Sequence, residues 1–448
     1  MGGISAEKSI AYGRIWSIAW PIIVGSAAQT MVLVTDTAVL SRLGHLALGA
    51  EAIAGLIYLT LTMVPYGFAI GMQIVVARRY GEGRERSLGR AATHSFTVLW
   101  AIGLAVLTLA TLSMHWFLPK LAQGPELAAG AEEYFKYRIW GFLFISTNVG
   151  FRALYVGLGR TKVIAVTTVI MLLVNFVLDI GLVFGLGPLP EMGLGGAAIA
   201  SVIAELVCML TFVVTTRLNG IWQRYRLFRL RVYSLRLVGH LLRVSLPLML
   251  QNFLGVFIWM LFFVVIATMG VDALATSNVV RSIYMLMMIP VWGISSATNT
   301  LVSYVLGRGE PRLVWRVIRR AITLGIAVAG VSSLIIALIP DAGLALYTGD
   351  VELVALSRPI IWLVAIATLA QVVALVIYAG VTGTGATAVA LIIDLCVLPV
   401  YLFIAWLLAV PLHLDLGWVW CVEIFYPCLV ATASLAYLKW GKWSTAHV

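Results

Sequence analysis

Charged residues are scarce in this chain. Only 11% of its 448 residues are Asp, Glu, Lys or Arg, whereas roughly a quarter are charged in a typical soluble domain. Hydrophobic residues make up 62% of the chain, and its mean hydropathy is +1.02. This composition excludes a water-soluble globular protein. It predicts an integral membrane protein whose main partner is the lipid bilayer.

Cysteine pairs and catalytic motifs are also lacking. The four cysteines lie inside apolar segments without C-x-x-C spacing, which excludes a disulfide framework or a zinc knuckle. None of the six histidines belongs to an H-E-x-x-H motif, and there is no G-x-S-x-G or P-loop motif. We therefore expect no enzyme, no cofactor and no ATP-driven pump. An ion gradient is the remaining energy source, since each charge that crosses the membrane gains about 2.3 kcal/mol per 100 mV.

Long polar connections are missing except for residues 217–243. There, arginines and bulky apolar residues are interspersed, as in a segment that lies on the cytoplasmic lipid surface. Elsewhere the chain consists of apolar runs of about 20 residues or more, which are long enough to cross the hydrocarbon core. The twelve predicted spans are residues 15–41, 46–76, 91–117, 134–157, 163–186, 192–216, 241–269, 273–306, 317–340, 353–381, 387–411 and 416–438.

An internal repeat with a spacing of 226 residues divides these spans into two sets of six. Glycine and proline recur at matched positions, which indicates a shared backbone geometry. An even number of spans returns each copy to its starting side, so the copies run parallel. The predicted fold is all-α, with an N-terminal lobe (1–216), a cytoplasmic linker (217–243) and a C-terminal lobe (244–448). Matched pairs include Pro21 and Pro247, Gly44 and Gly270, Gly67 and Gly293, and Gly83 and Gly309.

The net charge of +11 reflects membrane topology. Most of the 30 Lys and Arg residues lie in loops that alternate to one side, whereas the opposite loops carry most of the loop acids. The positive-inside rule then places both termini in the cytoplasm of a multi-pass protein. We expect it in the plasma (inner) membrane, without a nucleic-acid partner.

Acidic residues inside the spans are the leading candidates for function, because each is costly within the bilayer. Asp36 on the first span and Asp179 on the fifth lie at similar depths, and Asn175 precedes Asp179 by one helical turn. Desolvation and a second carboxylate favour proton uptake by such groups. A hydrogen-bonded network that only ties the helices together is the alternative. The six acids are Asp36, Glu51, Asp179, Glu205, Asp394 and Glu423.

The other four acids have weaker claims. Glu51 lies near the outer end of its span, where water reaches it in part. Glu205 is deeper and pairs structurally with Arg138 or Arg152, or else is functional. Asp394 has Arg281 as a conceivable partner, and the role of Glu423 stays open.

Uncharged polar residues line a cavity or bond between helices, and the sequence leaves both readings open. Gln29, Thr35 and Thr37 lie on the same span as Asp36. The candidates in the second copy are Gln251, Asn252, Asn278, Tyr284 and Met287.

The sequence from Asp36 to Gly44, followed by Ala47 to Ala50, resembles the multidrug and toxic compound extrusion (MATE) family. Gly307-x-Gly309 at the end of the eighth span also fits. Asp36 together with Asn175-x-x-x-Asp179 is similar to the DinF-like branch. This resemblance implies a V-shaped bundle of two lobes, in which the two aspartates couple to protons or another cation. It also implies that Tyr134 lies near them.

The sodium-linked branch of that family keeps acids on spans seven and ten, which this chain lacks. Sodium at Asp36, Asn175 and Asp179 remains open, and no other metal site is expected. The resemblance thus implies a monomeric antiporter, coupled to protons, that exports amphipathic or cationic compounds by alternating access. Its alternatives are a flippase for a lipid or lipid-linked substrate, a membrane-embedded transferase and a channel.

Overall fold

The structure is a computed structural model that describes residues 10–122, 124–229, 233–345 and 350–443. This part of the chain consists of helices and connections, without a β-strand. The helices of the first copy are α1 (Tyr12–Leu40), α2 (His45–Gly81), α3 (Glu85–Leu121), α4 (Pro125–Arg138), α5 (Gly141–Gly157), α6 (Lys162–Phe184) and α7 (Gly193–Leu218). Those that follow are α8 (Ile221–Tyr225), α9 (Leu235–Ala267), α10 (Val271–Gly307), α11 (Val314–Leu338), α12 (Pro340–Ala345), α13 (Val351–Gly383), α14 (Thr387–Ala409), α15 (Leu416–Trp420) and α16 (Val422–Trp440).

The helices confirm the membrane fold class. In the described residues, 11 helices are long and apolar enough to cross a bilayer, or 12 if a bent pair counts as one span. That pair is α4 and α5, which meet at an angle of 51°. The predicted span at 134–157 corresponds to this bent pair, in which the helix breaks at Ile139–Trp140 beside a buried ion pair.

Matched glycines adopt the same backbone conformation in both copies. Gly44 and Gly270 have φ values of 106° and 118°, and Gly83 and Gly309 have φ values of 70° and 75°. Only glycine adopts such positive φ values without strain. The shared punctuation seen in the sequence thus corresponds to shared turns between helices.

The chain forms two compact units whose borders differ from those of the repeat. One unit contains the chain up to Ile23 and from Leu250 onward, together with the short turn Gly81–Gly83. The other unit contains the remainder, from Val24 to Met249. Ile23 and Met249 are 226 positions apart, so helices α1 and α9 change unit at equivalent points. The division into lobes at 216 and 244 stays a prediction.

Glycines of α2 allow close packing against the first part of α9 within one unit. A Cβ atom on Gly67 would lie 2.5 Å from the Cα of Met249, and Gly71 faces Ser245 just as closely. Ser245 Oγ donates a hydrogen bond of 3.3 Å to the carbonyl oxygen of Phe68. Gly293, the repeat match of Gly67, packs against Ile23 of α1 in the other unit. The repeat therefore encodes the same helix crossing twice.

We expect Gly67→Ala to destabilise the protein by about 1–3 kcal/mol, because the added methyl group meets backbone atoms that cannot move aside. The measurement is thermal unfolding in detergent. Gly255→Ala on α9 is the matched control, since nothing lies within 4 Å of its Cβ position. The control should be neutral, or stabilising by up to about 1 kcal/mol through helix propensity. Equal melting temperatures for both variants would disprove the close crossing.

Candidate functional site

A chain of hydrogen bonds leads to Asp36 from two other helices. The Oγ of Ser201 on α7 donates to Asp36 Oδ2 at 3.1 Å, and Asn175 Nδ2 on α6 donates to that Oγ at 3.4 Å. All three side chains are buried. The network connects α1, α6 and α7, and it orients one oxygen of Asp36.

Asp179 completes this site one turn after Asn175. Its carboxyl group lies within hydrogen-bonding reach of that of Asp36, and its residue is fully buried. Neither oxygen of Asp179 accepts a hydrogen bond from a donor in the described part of the chain, and the same holds for Asp36 Oδ1 and Asn175 Oδ1. Buried hydrogen-bond acceptors normally have donors. This cluster therefore has more acceptor oxygens than the surrounding protein has donor groups for. The arrangement fits a bound proton or a small cation.

Tyr134 and Glu51 lie close enough to interact with the pair electrostatically. Tyr134 on α4 is buried and interacts with both aspartates, and Glu51 on α2 interacts with Asp36. The prediction that Glu51 is partly wet is wrong, because only 7% of it is exposed. Helix α4 packs over this part of α2, where a Cβ on Gly130 would lie 3.1 Å from that of Ala50.

Glu205, which is on the same helix as Ser201, forms a buried ion pair with Arg138 of α4. Arg138 Nη2 donates to Glu205 Oε1 at 2.6 Å, and the hydroxyl of Tyr58 lies 3.1 Å from Oε2. The Arg138 guanidinium also lies 3.7 Å from the centre of the Tyr58 ring. Of the two partners predicted for Glu205, Arg138 is the one that pairs with it. Arg152 instead donates to Ser26 Oγ.

The break between α4 and α5 accommodates this pair. A Cβ on Gly141 would collide with Arg138 Nη1, Glu205 Oε2 and the Tyr58 hydroxyl. The chain therefore needs glycine where it resumes as α5, directly beside the ion pair.

The remaining candidates of the first copy are less buried than the acids. Gln29 is exposed at the protein surface. Thr35 and Thr37 donate to carbonyl oxygens of their own helix, at Val32 and Leu33. Their hydroxyl groups are thereby used within α1, one turn back.

The second-copy candidates do not form one group. Gln251 and Asn252 are half-buried, Asn278 donates to the carbonyl oxygen of Leu274, Met287 is buried, and Tyr284 donates to Glu423. The expected pairing of Asp394 with Arg281 is wrong. Tyr378 donates to Asp394 at 2.6 Å, and Arg281 stacks over Phe263 instead.

Two functional neighbours escaped the sequence reasoning. Ser201 stands one helical turn before Glu205, and that spacing was the available signal for a polar face on α7. Tyr58 belongs to an Ile-Tyr pair that recurs at Ile283-Tyr284, but the repeat alone does not indicate its contact with Glu205. Both residues matter because of which helices face each other.

Oxygen ligands are the only metal-binding chemistry at this site. In the described ranges, no group of three or more His, Cys, Asp or Glu is placed to hold a metal ion. Carboxylate, amide and hydroxyl oxygens of Asp36, Asp179, Asn175 and Ser201 suit a hard cation such as sodium.

Comparison with known proteins places the chain. The MatE family model matches twice, at residues 21–181 and 247–407. The chain belongs to the MatE family. The two matched segments are offset by 226 residues, the spacing of the internal repeat. Members of this family are transporters and not enzymes, in agreement with the expectation from the sequence.

Full-length bacterial relatives are similar to this MatE protein. One is the "Probable multidrug resistance protein NorM" of Thermotoga maritima, 25% identical over 96% of this chain and 93% of that protein. A protein of the same name from Rhizobium meliloti is 28% identical over 89% of this chain and 87% of its own length.

Solved structures agree with the fold. A MOP superfamily transporter from Pyrococcus furiosus, described as having a binding pocket of reverse polarity, superposes with a TM-score of 0.87. It is 20% identical, and the match covers 96% of this chain and 95% of that one. An outward-facing multidrug resistance MATE transporter gives the same TM-score, identity and coverage.

We expect Glu205→Gln to destabilise the protein by about 3–5 kcal/mol, because it leaves the buried Arg138 guanidinium without a counter-charge. Unfolding in a denaturing detergent measures the effect. Glu85→Gln is the matched control, since Glu85 pairs with Arg224 at 2.5 Å on the surface, where the two side chains are 44% and 35% exposed. Exposed pairs contribute about 0–1 kcal/mol. Similar losses in both variants would contradict the assignment of Glu205 as a structural ion pair.

Proposed function

We propose that this MatE transporter exports amphipathic or cationic compounds in exchange for protons that bind at Asp36 and Asp179. The observation that carries the proposal is the excess of acceptors at this pair. Three carboxyl oxygens and the oxygen of Asn175 are buried without a donor. Proton binding would turn one of these acceptors into a donor.

The two acids differ in their hydrogen-bond donors. Ser201 donates to Asp36, and Asn175 donates to Ser201. Asp179 receives no such donor, and its neutral form is the better one at this position. The proton therefore resides on Asp179 and is shared with Asp36 Oδ1, which lacks another donor.

Loss of that proton would couple to export through electrostatics. Two adjacent carboxylates in an apolar environment repel each other, and the deprotonated site then favours a conformation in which water or a cation reaches it. A proton and a cationic substrate thus prefer different conformations. The gradient drives export only through this difference in affinity between the two states.

Sodium coupling through the same acids is the second candidate. It is favoured by the amide oxygen of Asn175, which stays without a donor beside three carboxyl oxygens. Amide and carboxyl oxygens together suit the coordination of sodium, whereas a proton relay does not need the amide oxygen. A flippase for lipid pyrophosphate has less support, because Arg138 and Arg152 are already engaged with Glu205 and Ser26.

The names of the relatives guide the wider assignment. Proteins called multidrug resistance proteins cover nearly the whole chain, which supports broad substrate specificity. We further propose the plasma membrane as the location, with both termini cytoplasmic, a monomeric state and membership of the DinF-like branch. The arginine-rich linker between the copies supports the orientation.

We expect Asp36→Asn and Asp179→Asn each to abolish export that depends on a pH gradient. Efflux of a fluorescent cationic dye from proteoliposomes, with an imposed pH gradient and without sodium, measures this. The matched control is Asp272→Asn, which changes an exposed acid at the start of α10 and should transport normally. Melting temperatures establish that each variant is folded.

Adding a sodium gradient separates the two coupling ions. If wild-type efflux requires a sodium gradient and does not depend on the pH gradient, the coupling ion at these acids is sodium and not the proton. Normal efflux in both Asn variants would refute coupling at this site altogether.

A further inference from the structure

The second copy contains a buried acid, Glu423, that is not part of the first-copy site. Glu423 on α16 is only 4% exposed. Tyr284 on α10 donates to its Oε2 at 3.0 Å, and Tyr401 on α14 donates to its Oε1 at 2.8 Å. The indole of Trp259 on α9 is a third hydrogen-bond partner. Four helices thus meet at one carboxyl group.

The internal repeat relates Glu423 to the ion-paired Glu205. Tyr58 and Tyr284 are separated by the repeat distance of 226, and each bonds a glutamate on the last long helix of its own copy. The two glutamates are 218 positions apart, eight fewer than the repeat distance. The tyrosine–glutamate contact between the second and last spans therefore occurs twice.

Among the described residues, however, the counter-charge of Glu205 has no equivalent at Glu423. Arg138 pairs with Glu205 at 2.6 Å, but the residue 226 positions later is Val364. The partners of Glu423 are two phenols and an indole, which are neutral donors. A buried carboxylate with only neutral donors lacks the compensation that the guanidinium provides.

The other titratable groups around Glu423 do not supply a positive charge. Tyr426 on the same helix interacts with Glu423 and with Asp394, and Asp394 is bonded by Tyr378 of α13. Arg281 on α10 stacks over Phe263, 5.0 Å from the ring centre. Gln371 of α13 hydrogen-bonds Tyr284.

Aromatic rings pack beside the site. Phe262, which stands where the first copy has Asp36, is fully buried with its ring centre 5.5 Å from that of Tyr401 and 5.6 Å from that of Trp420. Trp420 is also fully buried and donates to Ser277. These rings contact each other and enclose Glu423 on this side.

We propose that Glu423 binds and releases a proton, as a second proton site located in the second copy of the repeat. On protonation, one carboxyl oxygen becomes a donor, and a tyrosine hydroxyl that donated to it now accepts. Proton binding here is independent of the first-copy aspartates. Only its use during export rests on the proposed function.

Infrared difference spectroscopy of the purified protein between high and low pH tests the inference. A protonated carboxyl group gives a C=O band that ionisation removes. We expect Glu423→Gln to lose one such band that wild type shows, while Glu85→Gln, which changes an exposed ion pair, keeps the Glu423 band. Asp36→Asn should also keep the Glu423 band.

Tyr401→Phe provides a readout that survives if Glu423→Gln folds poorly. Removing the phenol donor should move the Glu423 band to higher frequency, because a C=O group vibrates faster when it loses a hydrogen bond. Wild-type spectra in both Glu423→Gln and Tyr401→Phe would overturn the inference.

The transport assay keeps the two hypotheses apart. Normal dye export in Asp36→Asn and Asp179→Asn would refute the first-copy coupling site without touching the Glu423 band. Conversely, Asp36→Asn and Asp179→Asn could lose coupling while Glu423→Gln shows the wild-type spectrum. That result would support the proposed function and refute the second proton site.

Discussion

The buried acids of this protein are governed by the cost of placing a carboxyl group where no water can solvate it. In the bilayer, each buried polar group must find its partners within the protein. The buried acids meet this demand to different degrees. Glu205 has a guanidinium and a phenol, Glu423 has only neutral donors, Asp36 has one serine, and Asp179 has none beyond the other acid.

The number and charge of these partners distinguish an acid that stabilises the fold from an acid that is suited to bind a proton. A carboxylate held by Arg138 gains little from a proton, since protonation would leave the guanidinium unpaired. A carboxyl group without a donor, such as Asp179, gains most. An acidic residue therefore stabilises an ion pair at Glu205, whereas under the proposed function an acid at Asp179 binds the coupling proton.

The repeat duplicates the scaffold but not the chemistry. Gly67 and Gly293 provide the same close helix crossing, and Tyr58 and Tyr284 each bond a glutamate. The chemical groups differ between the copies: Asp36 corresponds to Phe262, Asp179 to Ala405, and Arg138 to Val364. The shared backbone geometry thus accommodates different side chains at these matched positions.

Composition and spacing alone determined the membrane class, the helical spans, the repeat and the acids worth attention. These features are local, since each depends on hydropathy within one segment or on glycine at a helix end. Only the tertiary structure decided which side chains meet. It brought Ser201 to Asp36, buried Glu51 beneath α4, turned Thr35 and Thr37 back onto their own helix, and gave Asp394 a tyrosine in place of Arg281. It also broke the fourth span beside Arg138 and Glu205. The physical reason is that a helix presents residues around its whole circumference, and the packing of distant segments selects the face that becomes a site.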